Sequence, residues 1–211
     1  LDMIDEERIS CLDAMPEIAS LNLTPGMDKF SLKERKAPIP HPRPAFEHDE
    51  CFPISFRQVR WFATEMKQRG IKPELEIYHP GGAWVVQNLI QQRLIEKPYW
   101  IQTVMGIQSG SFPTVDNVMN LLRELPEDTL WLCSGIAQFQ LPMTTLAILL
   151  GGHVRVGFED NIYYKHGEKL KNNVQAVERV VRISFELNRE IATPEQARKM
   201  LGMSKTPRND S

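Results

Sequence analysis

The chain has 211 residues and a net charge of −2, with 25 basic side chains against 27 acidic ones. That balance, without any basic block, argues against nucleic acid as a partner, and no run of about eighteen apolar residues is present to span a membrane. The cysteines, Cys11, Cys51 and Cys133, are odd in number and far apart; they read as reduced thiols of a cytoplasmic protein, with no paired spacing that would build a structural zinc site.

Residues 1–211 read as a single domain in which short apolar runs alternate with amphipathic stretches. The sequence begins with Leu1 rather than methionine, and residues 5–15 read as the second half of a helix, so an N-terminally truncated chain is expected. A strand follows at 17–23. Segment 24–53 is rich in proline and lacks clear periodicity; it reads as a long loop on the C-terminal face of a sheet, where a lid would lie. His41 and His48 in it read as solvated, a metal role being the alternative. Then come a helix at 55–69, a strand at 74–79, a helix at 83–93, a strand at 100–105, a helix at 115–125, a strand at 130–134 and a helix at 142–150. Gly70 and the Gly151-Gly152 pair mark the turns back into strands. A strand at 153–158 and a helix at 170–188 lead to a last short helix at 194–201, with Thr193 at its cap, Pro194 at its first position and Gln196 reaching back. The polar tail 204–211 is expected to fray. This rhythm predicts a parallel α/β sheet with helices on one outer face and an open edge at the first strand.

Strand parity then sorts the side chains. In 74–79, Leu75 and Ile77 face one way, while Glu74, Glu76 and Tyr78 face the other. In 153–160, Val154, Val156 and Phe158 share one face, Arg155, Gly157 and Glu159 share the other, and Asp160 sits just past the end. Carboxylates pointing inward from two strands fit a barrel with a polar upper interior, an open sheet being the alternative. An Arg, a Glu and an Asp at the C-terminal end of a strand stand where α/β proteins place chemistry; an ion pair that only fixes the strand is the structural alternative.

The run Gly-Gly-His-Val-Arg-Val-Gly-Phe-Glu-Asp-Asn (151–161) resembles the signature of the beta-keto acid cleavage enzymes. Pro-Glu-Ile-Ala-Ser-Leu-Asn (16–22), Lys-Pro-Glu-Leu-Glu (72–76), Gln-Leu-Pro-Met (140–143) and Ala-Thr-Pro-Glu-Gln-Ala-Arg (192–198) are similar to other family segments, in order along nearly the whole chain. The resemblance implies a TIM (β/α)8 barrel, of which this chain holds the C-terminal five βα units. It implies a divalent metal, usually zinc, and homo-oligomers, commonly tetramers. The implied reaction takes a beta-keto acid and acetyl-CoA to acetoacetate and a new acyl-CoA. It makes Glu159 the carboxylate metal ligand, Asp160 the catalytic base, Arg155 the residue that orients Asp160 and binds the substrate carboxylate, and Glu76 a contact to the substrate's distal substituent.

The sequence departs from the family pattern in two places. It has no His-x-His pair to complete the metal site, so the activity is expected of the complete protein and not of this chain alone. Tyr78-His79 follows the central strand where the family usually has an Asp or similar residue, which leaves the substrate side chain open. Two rival functions remain: another metal-dependent barrel aldolase or hydrolase, and a remnant that serves as an assembly module.

Overall fold

The computed structural model describes residues 5–204 and 206–208. Helix α1 (Asp5–Ile9) and a 3-10 turn (Ser10–Ala14) lead into β1 (Ile18–Asn22). In chain order there follow β2 (Gly26–Leu32), β3 (Phe46–Phe52), α2 (Phe56–Gln68), β4 (Lys72–Ile77), α3 (Gly81–Gln91), β5 (Tyr99–Met105) and α4 (Val115–Glu124). Then come β6 (Thr129–Gly135), α5 (Gln140–Leu149), β7 (His153–Val154), β8 (Tyr163–Lys165), β9 (Glu168–Lys169), α6 (Asn173–Glu186) and α7 (Pro194–Met200).

Five strands form one sheet in the order β1-β4-β5-β6-β7, and every pairing in it is parallel. Neighbours in space follow chain order, with a helix returning the chain between β4, β5, β6 and β7. This is the winding of a (β/α) barrel, and β1 lies at one end of the strand order as expected.

Parity decides the two faces. Leu21, Leu75, Ile77, Ile101, Met105, Trp131 and Cys133 join one core with Val59 and Met66 of α2, Val86 and Leu89 of α3, Leu121 of α4 and Ala147 of α5. Burying such side chains contributes about 1.5–3 kcal/mol each and is what holds the helices to the sheet. The alternate positions carry the polar set. Trp100 Nε1 donates to Glu74 Oε2 at 2.8 Å, and Gln102 Nε2 donates to Glu76 Oε1 at 3.1 Å.

Helix starts follow local chemistry. Ser55 and Gln58 form a capping box on α2, Thr114 caps α4, Asn172 caps α6, and Thr193 with Gln196 closes the expected box on α7, with Pro194 at its start. Among the described residues no helix is long and apolar enough to cross a membrane.

Segment 24–53 is not a structureless loop. It holds an antiparallel ribbon, β2 on β3, in register from Gly26 opposite Phe52 to Leu32 opposite Phe46. The prolines at 38, 40, 42 and 44 lie between the strands, so they end neither. The strands escape a periodicity reading because Phe30, Leu32 and Phe46 remain exposed, which removes the buried alternation that marks a strand. His48 stacks on Phe30 with ring centroids 4.7 Å apart and sits 2.8 Å from Asp28 Oδ1 through Nε2. The outer edge of β2 is met by side chains of the β5–α4 connection. Met27 N–H donates to Ser109 Oγ at 2.7 Å, Lys29 N–H donates to Gln108 Oε1 at 2.8 Å, and Gln108 Nε2 donates back to Lys29 O at 2.7 Å. At the ribbon's base, Phe52 packs edge-on against Tyr78 at 6.1 Å.

Three further differences follow. The strand expected over 153–158 pairs only through His153 and Val154. A second small ribbon, β8 with β9, follows the Asp160 turn. In the tail, Arg208 donates to the carbonyls of Pro16 and Gly70; Lys205 and residues 209–211 lie outside the described residues.

Gly152, in the turn before β7, is a steric test of the packing. A Cβ there would lie 2.4 Å from the Trp131 ring, which is buried and donates through Nε1 to Thr103 Oγ1 at 2.9 Å. Gly152→Ala is expected to cost roughly 1–3 kcal/mol, read as a lower urea midpoint at unchanged slope. An unchanged midpoint would mean that Trp131 yields freely.

Candidate functional site

The site is built where β7 stops. Arg155 N–H still donates to Cys133 O at 3.1 Å, which continues the parallel pairing by one residue. The chain then leaves the sheet. Gly157 adopts φ +156°, a backbone setting that side chains rarely take. Its carbonyl accepts from Asn161 N–H at 3.1 Å and from Gln140 Nε2 at 3.1 Å, while Phe158 N–H donates to Asn173 Oδ1 at 2.9 Å. The resulting turn carries Asp160 back toward Arg155. It also explains why the expected alternation fails past Val156: Phe158 is exposed, not packed under a helix.

Arg155 organises what the turn delivers. Its Nε donates to Asp160 Oδ2 at 3.1 Å and its Nη2 to Asp160 Oδ1 at 2.8 Å, a two-pronged contact that fixes both position and plane. Its Nη1 reaches Glu76 Oε1 at 3.2 Å, and Nη2 lies 3.1 Å from Glu159 Oε2. Three of the sequence-expected residues thus meet around the fourth. Their exposures differ sharply: the Asp160 side chain is 2% exposed and that of Glu159 is 83% exposed.

Glu76 is buried on β4 and its oxygens are occupied. Oε1 accepts from Arg155 and from Gln102. The Tyr78 hydroxyl shares its proton between Asn22 Oδ1 at 2.8 Å and Glu76 Oε2 at 3.3 Å. Burial pushes the Glu76 carboxyl above its usual range, and Arg155 pulls it part of the way back. Asp160 behaves alike: burial raises it, and the Arg155 charge and hydrogen bonds oppose the rise. Burial opposes the Arg155 charge, but its three carboxylate partners outweigh that and raise its pKa. Tyr78 is pushed up by burial and by Glu76, so its phenol stays a donor.

Gln102, Asn22 and Tyr78 join the site although no motif in the sequence marks them as site residues. Parity alone could have found Gln102, which points inward beside Glu76. Gln102 Oε1 and Ser134 Oγ are buried without a hydrogen-bond partner, so the inward face keeps unused polar capacity next to the carboxylates.

A divalent metal does not fit the described residues by themselves. Among them no group of three His, Cys, Asp or Glu side chains could hold one. Glu159 is a single carboxylate facing Arg155, whereas catalytic zinc takes about three protein ligands. His41 and His48 belong to no such group either.

A family model described as beta-keto acid cleavage enzyme matches residues 1–203. The chain is 35% identical over 215 residues to the 3-keto-5-aminohexanoate cleavage enzyme of Fusobacterium nucleatum subsp. nucleatum, covering 95% of this chain and 78% of that protein. It is 34% identical over 203 residues to the enzyme of the same name from Acetoanaerobium sticklandii, covering 96% and 68%. It is 33% identical over 147 residues to the 3-dehydrocarnitine:acetyl-CoA trimethylamine transferase of Rhizobium meliloti, covering 70% and 49%. The solved apo structure of ObcA superposes with a TM-score of 0.64 at 15% identity, covering 89% of this chain and 44% of ObcA. That likeness concerns the fold, and the chain spans less than half of ObcA's length.

The pairing of Arg155 with Asp160 makes a prediction about stability. Arg155→Met leaves a buried carboxylate without its cation, a change that typically costs about 3–5 kcal/mol. Without Arg155 the Asp160 pKa rises further above its unfolded value. A raised carboxyl pKa favours the folded state below the unfolded value and loses that support as pH rises through the folded one. The deficit of Arg155→Met against the parent should therefore be largest at neutral pH and shrink on acidification. Urea titrations across pH measure it, and a pH-independent deficit would show that the pair does not set the stability.

Proposed function

The chain belongs to the beta-keto acid cleavage enzyme family, and on that premise we propose that it takes part in cleavage of a beta-keto acid with acetyl-CoA. The bond between the ketone carbon and the adjacent methylene breaks. The CH2COO− unit joins the acetyl group as acetoacetate, and the remaining acyl group leaves on CoA. The observation that carries this reading is the two-pronged hold of Arg155 on a buried Asp160 at the C-terminal edge of a parallel sheet.

In this proposal Asp160 is the base. Its two oxygens are held by one guanidinium, which keeps the carboxylate ionised and aimed, and proton transfer to a placed carboxylate opens the way to carbon–carbon cleavage. Arg155 binds the carboxylate end of the keto acid and stabilises negative charge that develops on oxygen. Glu76 faces the distal substituent of the substrate, and its Oε1 steadies Arg155 by accepting from Nη1. Glu159, the exposed carboxylate of the set, is the residue this chain would offer to a divalent ion, zinc or another; such an ion would supply Lewis-acid chemistry, and its other ligands would have to lie outside the described residues. The protein acts in the cytoplasm, a reading with which its three free cysteines agree, and as a homo-oligomer, a reading that rests on the family alone.

Asp160→Asn keeps shape and hydrogen bonding but cannot accept a proton. Turnover should fall by about 10²–10⁴-fold, with keto-acid binding retained, in the protein that carries the complete site. Arg155→Lys should lose most activity too, since an ammonium cannot reproduce the planar fork. Steady-state acetoacetate formation is the assay, and activity of Asp160→Asn within about threefold of the parent would move the base elsewhere.

The raised Asp160 pKa also sets a pH dependence. The base works when ionised, so kcat/KM should decline on the acid side at a pH above the usual aspartate range. A profile that stays flat down through the ordinary aspartate pKa would contradict the assignment.

A further inference from the structure

The β8–β9 hairpin gathers positive charge in a chain whose net charge is −2. Residues 162–171, Ile-Tyr-Tyr-Lys-His-Gly-Glu-Lys-Leu-Lys, carry Lys165, Lys169, Lys171 and His166 against the single acid Glu168. All three lysines are exposed. Lys165 meets Glu168 at 3.1 Å, an exposed pair of little strength. Among the described residues Lys169 and Lys171 pair with no carboxylate. Tyr163 stands opposite Lys169 in the hairpin register and is 45% exposed. The hairpin is fastened at its root and along one side. Asn161 holds Tyr163 through both its side-chain atoms, accepting from the backbone N–H at 3.0 Å and donating to the carbonyl at 2.7 Å. The Arg179 guanidinium lies over the Tyr164 ring, 3.6 Å from its centroid, and donates to the Tyr164 carbonyl, while Arg182 Nη2 donates to the Tyr164 hydroxyl at 3.1 Å. Tyr164 therefore faces α6, and strand alternation turns Tyr163 to the opposite side.

The place of this hairpin matters as much as its charge. It begins directly after Asp160, whose carbonyl accepts from Ala137 N–H at 2.6 Å, so its root is tied to the connection that follows β6. The loops after the last two strands of a (β/α) barrel are a frequent seat for phosphate groups, and β6 and β7 are the last two strands of this sheet. We infer that the hairpin binds the phosphorylated end of acetyl-CoA, with Lys165, Lys169 and Lys171 on its 3′-phosphate and diphosphate and Tyr163 stacked on its adenine. A lysine ammonium meets phosphate as a point charge, and an exposed aromatic ring stacks on a base whatever its edge pattern. Lys165 lies five residues beyond Asp160, at most about 17 Å of extended chain. A pantetheine arm bridges such a span and leaves the thioester beside the carboxylate base. The other basic stretch, Lys33, Arg35 and Lys36, lies at the turn of the β2–β3 ribbon. Lys36 is paired there with Glu34 at 2.9 Å, and a strand's length of roughly 23 Å separates that turn from the Tyr78 end of the ribbon.

This inference rests on acetyl-CoA as the co-substrate in the proposed function and names where its nucleotide end goes. The test is calorimetric titration of the full chain with CoA at low ionic strength, and adenosine 3′,5′-bisphosphate should compete with it. Lys165→Glu combined with Lys169→Glu should weaken CoA binding at least about tenfold, with an unchanged circular dichroism spectrum since both side chains are exposed. Tyr163→Ala should weaken CoA by about fivefold or more and leave the binding of inorganic pyrophosphate as it is. Lys33→Glu combined with Arg35→Glu should leave CoA within about twofold of the parent, the charges being distant and screened. Equal losses from the two charge reversals would mean a general charge effect and overturn the hairpin assignment. ATP bound more tightly than CoA would make this a site for free nucleotides and overturn it too. A parent that binds CoA, with hairpin variants that bind it equally well, leaves the acetyl-CoA reading standing and overturns the hairpin. A parent that binds no CoA also overturns the hairpin, and acetoacetate formation by the protein with the complete site then judges the reaction separately.

Discussion

One guanidinium holds this site together. Arg155 faces Asp160, Glu76 and Glu159 at once, and each carboxylate comes from a different structural setting. Glu76 is fixed by the middle of the sheet, Asp160 by the turn after β7, and Glu159 stands in water. The planar fork of arginine can bind one carboxylate squarely and still offer a further N–H sideways, which is the geometry observed. Both buried carboxyls are pushed toward neutrality by their surroundings and drawn back by the same cation. A change in the protonation of one is therefore felt by the other through Arg155.

The sheet supplies what that cation needs. Parallel strands bring Glu76 and Gln102 side by side across β4 and β5, and the β6–β7 pairing, Cys133 opposite Val154, delivers Arg155 just past its end. The departure of the chain at Gly157 is as necessary as the regularity before it. Had 153–158 continued as a strand, Asp160 would have been carried onward along the sheet, away from the guanidinium. The helix that follows takes part too, since Asn173 in its first turn holds Phe158 N–H.

Much of this was legible in the sequence, and the failures have physical causes. Leu75 and Ile77 against Glu76 and Tyr78 is a pattern that parity reads correctly, because both faces of the strand are buried against chemically different neighbours. Capping chemistry at Thr193 and Gln196 was equally readable, being local. The β2–β3 ribbon was not, because strand signals depend on burial and this ribbon exposes Phe30 and Phe46. The last strand was overextended because Val156 and Phe158 continue an apolar alternation that the tertiary turn at Gly157 overrides. The contact of Arg155 with Glu76 joins residues 79 apart in sequence; the inward parity of both strands allowed it, but only their relative placement creates it. The signature run identified Asp160, yet it did not show that Asp160 is buried while its neighbour Glu159 is not.

The ribbon that the sequence concealed also solves a problem peculiar to exposed strands. A free strand edge offers a row of unpaired peptide groups on which another chain can template itself. Along β2 that row is occupied at Lys29 by Gln108, whose carboxamide accepts from the backbone N–H and donates to the backbone carbonyl of the same residue. A primary amide has the donor and acceptor of a peptide unit without the chain attached to it. Gln108 thus stands in for a single residue of a neighbouring strand and then stops, closing the edge against propagation while tying the ribbon to the β5–α4 connection.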